Sequence, residues 1–140
     1  MSVAKWSVPS SEVTLGSITT LTNGSTLIVS DIDNTGLTNT NLYVSFWVEL
    51  SSFTPGIGAS LTVRLVRKKG SQYESTDQNT FTGENLMKAI PPGVSAKFLH
   101  IGPMRLPGGF IWGVQFVNNT GATISTSTPI VYQTFNEDIA

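Results

Sequence analysis

Residues 41–50, NLYVSFWVEL, decide the fold. Leu42, Val44, Phe46, Val48 and Leu50 fall on one side of an extended chain, and Tyr43, Ser45, Trp47 and Glu49 on the other. Successive side chains leave a strand on opposite faces, so this alternation in a run rich in aromatic and β-branched residues is the pattern of a half-buried strand. One face requires a core. The other carries two amphipathic aromatics beside a serine and a carboxylate, a mixture suited to an outer face that a partner covers in part.

The same pattern recurs on either side. Residues 60–69 alternate, with Leu61, Val63 and Leu65 inward and Thr62 and Arg64 outward. Residues 25–32 form a strand after the turn dipeptide Asn23–Gly24, and 12–20 a weaker one broken by Gly16. Residues 31–40, DIDNTGLTNT, read as a polar loop. Residues 73–81 read as a polar excursion. Residues 83–90 suggest one helical turn around Leu86 and Met87, ended by the prolines at 91 and 92. Strands at 96–101 and 104–106 flank Gly102–Pro103. Residues 110–117, FIWGVQFV, are apolar almost throughout, so both faces of that strand require cover. Residues 118–121, NNTG, carry a hairpin signal leading into a short Thr-rich strand at 122–127, and the last strand is 128–135.

About eight short strands with turn chemistry between them predict an all-β, antiparallel β-sandwich, jelly-roll-like. The immunoglobulin alternative expects a Cys…Trp…Cys spacing, and the chain has no cysteine. The domain reading is an irregular N-terminal arm at 1–11, anchored by Trp6; a sandwich at 12–135; and an exposed acidic tail at 136–140.

Composition narrows the function. Charged residues are 12% of the chain, against roughly 25% in typical domains. Eighteen Thr and sixteen Ser supply polarity instead, and uncharged hydroxyls let a surface pack against another without burying charge. The net charge of −1 points away from nucleic acid. No apolar run is long enough to span a bilayer, and the first ten residues lack a basic segment followed by an apolar one, which predicts a protein assembled in a cytoplasm.

Little points to catalysis, and no enzyme is expected. His100 is the single histidine, and alternation sets it opposite Leu99 and Ile101. One His without Cys cannot furnish a zinc site, and no nucleophile and acid are marked out to complete a triad. Asp31 and Asp33, in D-x-D-N, have the oxygen chemistry for Ca²⁺, but the EF-hand pattern is incomplete and turn capping is the plainer reading. No glycine-rich phosphate loop occurs, so no cofactor is expected. Arg64, Arg67, Lys68 and Lys69 hold half of the basic residues, suiting either an anionic partner or a solvated strand end. Trp6, Tyr43 and Trp47 complete the candidate partner contacts, with Trp47 the one plausible sugar-stacking platform; Trp112 lies in the strand expected to be covered.

Four stretches carry a resemblance: the early Trp6; LYVSFWVEL; PPGVSAKFLHIGPMRLPGGFIWGVQFVNNTGATIS; and VYQTFNEDIA with its terminal Y-x-x-x-N-E. Together they resemble small tailed-phage virion proteins, in particular jelly-roll head decoration, or cement, proteins. The resemblance implies a place on the virion capsid surface, with the major capsid protein as partner and neighbouring capsid subunits bridged. It also implies self-association as a dimer or trimer. The alternatives are a carbohydrate- or receptor-binding β-sandwich module and another structural protein of a phage tail.

Overall fold

The computed structural model describes residues 4–6, 11–36, 42–50, 55–74, 84–91 and 98–139, with backbone alone at 4–6, 125–128 and 137–139. The described residues contain eleven strands and no helix: β1 (Ala4–Trp6), β2 (Val13–Leu21), β3 (Thr26–Asp33), β4 (Tyr43–Glu49), β5 (Ser60–Lys69), β6 (Gln72–Tyr73), β7 (Glu84–Ala89), β8 (Phe98–Arg105), β9 (Ile111–Asn119), β10 (Ile124–Phe135) and β11 (Glu137–Ile139).

Two antiparallel sheets form the sandwich. One has the order β2-β10-β4-β8; the other runs β3-β9-β5, with β6 and β7 both pairing the far edge of β5. From β2 to β10, every connection outside the β5–β7 segment passes from one sheet to the other. Eight strands alternating between two four-membered sheets in this order, β6 being a short addition, make a jelly roll.

The alternation of β4 places Val44, Phe46, Val48 and Leu50 inside, each at most 1% exposed. They meet Leu61, Val63 and Leu65 of β5 and Val114 and Phe116 of β9 in one core. Phe46 and Phe116 join the two sheets edge-to-face, with ring centroids 6.4 Å apart. Leu42, at 48% exposure, lies just outside β4 and escapes the core. The apolar run of β9 is buried from Trp112 to Asn118, as a strand covered on both faces must be.

Several expectations are corrected. Residues 84–89 form a strand rather than a helical turn, paired with β5 from Ser60↔Ala89 to Leu65↔Glu84. Glu, Leu, Met, Lys and Ala favour helix locally, but the β5 edge supplies a ladder and Leu86 packs on the core, so tertiary pairing overrides propensity. Within the arm, residues 4–6 form β1, which pairs antiparallel with β11 in the tail, Lys5 opposite Asp138 in register; residues 1–3 and 7–10 of the arm lie outside those described. Asp31 lies within β3 rather than in a loop. The segments expected as separate strands at 122–127 and 128–135 form one strand, β10.

The 118–121 turn is not a hairpin. β9 and β10 belong to different sheets, and Ile124 pairs with Leu21 of β2. The fully buried Asn118 makes the crossing. Its Nδ2 donates to the carbonyls of Leu21 and Ala122, each at 2.8 Å, and its Oδ1 accepts from the Thr120 backbone N–H and hydroxyl. Asn23, in the turn between β2 and β3, accepts from the Gly121 N–H at 2.9 Å, so the two corners are tied together.

The expected excursion at 73–81 begins with Tyr73 in β6; its residues 75–80 and 81 lie outside those described.

Candidate functional site

Directly paired residues of neighbouring strands share a face, so the registers give the outer surface of the β2-β10-β4-β8 sheet in rows. Arg105, Tyr43 and Phe135 form one row, and His100, Trp47, Val131 and Thr14 another. Between them lie Ser45 and Gln133, and beyond Trp47 lie Glu49 and Phe98. Tyr43 stacks on Phe135 at 5.6 Å and 20°, and Trp47 on His100 at 4.5 Å and 43°. Phe98 is 64% exposed. Glu12, Trp47, Glu49, Phe98, Pro129 and Val131 line an open cleft of about 450 Å³.

This face is aromatic where a solvated sheet face is usually polar. Its charges are peripheral: Arg105 at one end of the rows, Glu49 and Glu12 at the other. Burial against Trp47 lowers the His100 pKa, and Lys88 on β7 adds to the effect, so the imidazole is held toward its neutral form.

In the middle of the face Ser45 is buried beside Gln133, whose Oε1 accepts from the Trp47 indole N–H at 3.4 Å. Ser45 sits opposite the β8 irregularity at Gly102, where a Cβ would stand 2.8 Å from Ser45 Oγ and 2.9 Å from its Cα. Only glycine fits there, and its φ of +142° is also one that L residues rarely adopt.

The basic run lies at an end of the other sheet and is largely neutralised. Arg67 Nε and a terminal guanidinium nitrogen donate to the two Glu74 carboxylate oxygens, each at 2.6 Å, and the guanidinium lies 5.6 Å over the Phe110 ring. Hydrogen bonding to Glu74 raises the Arg67 pKa and lowers that of Glu74. Lys68 Nζ and the Tyr73 hydroxyl donate to the two oxygens of Asp31, both at 2.7 Å. The bond to Asp31 raises the Lys68 pKa, while burial, then Asp31, raise that of Tyr73. The Tyr73 ring packs against Gly113, whose missing Cβ makes the room. An open pocket of about 590 Å³ includes Arg67, Lys69, Tyr73 and Phe110 in its lining.

Of the residues singled out in sequence, the fold brings Tyr43 and Trp47 together on the aromatic face, and Arg67, Lys68 and Lys69 at the other sheet's end. Arg64 joins neither surface. It points away from the core beside Gln115, as alternation predicts, yet is 4% exposed, so the outer side of this sheet is closed over there. Trp6 is placed in β1, its side chain outside those described. Asp33 caps a turn, accepting from the Thr35 N–H and hydroxyl, which lowers its pKa. Among the described residues, no three His, Asp or Glu side chains gather as a metal ion would require.

Sequence reading passed over Phe98, Val131, Phe135 and Arg105. The signal for Phe98 was present: the alternation that sets His100 opposite Leu99 and Ile101 sets Phe98 beside it. Val131, Phe135 and Arg105 join the face only through cross-strand register.

Comparison with protein families, curated proteins and solved structures finds no match to this chain.

Proposed function

We propose that this chain is a non-enzymatic virion structural protein, a capsid decoration or cement protein that binds the outside of a phage head and bridges neighbouring major capsid subunits. The observation that carries the reading is the jelly-roll strand order, β2-β10-β4-β8 over β3-β9-β5-β7, which is the architecture the sequence resemblance implies. The low charge supports it, since protein interfaces deplete charge at their centres. A rigid sandwich loses little conformational entropy on docking, and many weak sites on a repeating shell add up by avidity.

The test is binding of the purified protein to undecorated heads, followed by sedimentation and gel densitometry. Saturation at a copy number commensurate with the lattice, with shells more resistant to heat, supports the reading; absence of saturable binding overturns it.

The cleft at Trp47 and Phe98, flanked by Glu12 and Glu49, favours a second reading as a carbohydrate-binding module, because aromatic rings stack on sugar faces and carboxylates accept from hydroxyls. A glycan screen with Trp47→Ala as control separates the two.

A further inference from the structure

We propose that the outer face of the β2-β10-β4-β8 sheet is a self-complementary interface that joins two copies of this chain about a two-fold axis. The inference stands apart from the capsid reading, since a chain that never binds a head can still dimerise through this face.

The argument rests on how the rows map onto themselves. In an isologous pair the same patch meets itself, so its two ends must be complementary. An axis lying across the strands at the level of Phe46 exchanges the Tyr43 row with the Glu49 row, and the Ser45 row with the Trp47 row. Arg105, beside Tyr43, then faces Phe98 and Glu49 of the other copy. Cation meets carboxylate and an exposed ring, twice per dimer.

The relief matches in the same operation. Trp47, His100 and Val131 make one row, and Gln133, Ser45 and Gly102 the row exchanged with it, with the small residues on β4 and β8. Each indole then faces the small Ser45 of the other copy. An axis running along β4 instead sets Trp47 against Trp47 and Glu49 against Glu49, so charge and shape both select the axis across the strands.

Size sets the strength. Six residue steps along β4 span roughly 20 Å, and four strands about 4.8 Å apart are roughly as wide. Two such faces bury on the order of 1,000 Å² in total, at the low end of specific interfaces. The dimer is therefore weak, forming at roughly tens of micromolar and above.

The experiment is sedimentation velocity on the full chain over a concentration series, with Phe98→Ser, Arg105→Glu and Glu49→Arg compared with the parent. Thermal unfolding of each variant checks the fold, and Phe98 is exposed enough for its replacement to spare it. The parent shows a monomer–dimer equilibrium, and each variant weakens it at least about tenfold. Mixing Arg105→Glu with Glu49→Arg restores dimer that neither forms alone, because every opposed pair again carries opposite charges. The doubly exchanged R105E/E49R chain regains self-association for the same reason. A strictly monomeric parent overturns the proposal, as does association indifferent to the three substitutions or reversals that fail to recover on mixing. A monomer that binds oligosaccharides at the Trp47 cleft also overturns it and assigns the face to sugar.

Discussion

Replacing Asn118 by Asp tests the account of the corner between β9 and β10. The two side chains have nearly the same size, so no cavity forms. The oxygen that accepts from the Thr120 N–H and hydroxyl is retained. The other atom changes from a donor to an acceptor and faces two carbonyl oxygens, those of Leu21 and Ala122, at 2.8 Å each. The Thr120 hydroxyl also reaches the Ala122 carbonyl, at 3.0 Å, so the Leu21 carbonyl is the one that loses its side-chain donor outright, and an unsatisfied buried acceptor costs about 1–3 kcal/mol, a large share of a domain's total. A buried carboxylate aimed at carbonyls favours its protonated form, so its folded pKa lies above the unfolded value of about 3.9. The sign follows: the destabilisation is greatest at neutral pH and shrinks as pH falls through the folded pKa, where the carboxyl O–H again donates to one carbonyl. Urea unfolding of parent and variant at pH 7 and pH 5 measures the gap directly. A gap under about 1 kcal/mol at pH 7, or one that does not narrow at pH 5, refutes the assignment of Asn118 as the donor that closes this corner.

Phe46→Ala removes a fully buried ring that meets Phe116 and lowers stability by about 3–5 kcal/mol in the same unfolding assay. Gly102→Ala drives a Cβ against the Ser45 backbone at an unfavourable φ; the expected result is a clear loss of thermal stability, whereas an unchanged melting temperature contradicts the close approach of β8 to β4. Acid lowers stability through three groups of one sign. The folded pKa values of Asp33 and Glu74 are depressed, so their contribution is present above the ordinary carboxylate value and is lost as pH falls through the folded one. His100 is also lowered from its ordinary value of 6.5, so the unfolded chain takes up the proton first and stability declines below that pH. A melting temperature that falls from pH 7 downward, with the part nearest 6.5 removed by His100→Gln, is the expected profile.

The fold was legible wherever one face of a strand had to be buried. Val44, Phe46 and Val48 alternate because the pleat requires it, and the pattern survives any tertiary arrangement. The same holds for Leu61, Val63 and Leu65. What local pattern could not supply was the partner of each strand. Residues 84–89 look helical in isolation and become a strand only because β5 has an edge there. NNTG has hairpin chemistry, but Asn118 spends its hydrogen bonds on Leu21 and Ala122, one of them far away in sequence. The candidate site divides in the same manner. Tyr43 and Trp47 share a face by alternation alone, whereas Arg105, Phe135 and Val131 join them through register. Arg64 shows the opposite failure: its direction was legible and its burial was not, because burial depends on what lies over the sheet.

A sandwich has two outer faces, and this chain treats them differently. On the five-stranded sheet, Arg64 and Gln115 are buried, and Tyr73 lies over Gly113, fastened to Asp31. The basic side chains there are matched at short range, Arg67 by Glu74 and Lys68 by Asp31, so little of their field is left for a distant partner. On the four-stranded sheet the aromatic rows are half-buried and Phe98 is exposed, with charge confined to the ends. Exposing a Phe beside a Trp loses the free energy of keeping apolar surface from water, roughly 25 cal/mol per Å², unless another surface covers it. Both outer faces keep an open apolar side chain, Phe98 on one and Met87 on the other, each 64% exposed, so it is the aromatic rows that give the molecule a direction. Docking through the aromatic face leaves the other outward, toward solvent or toward whatever next binds.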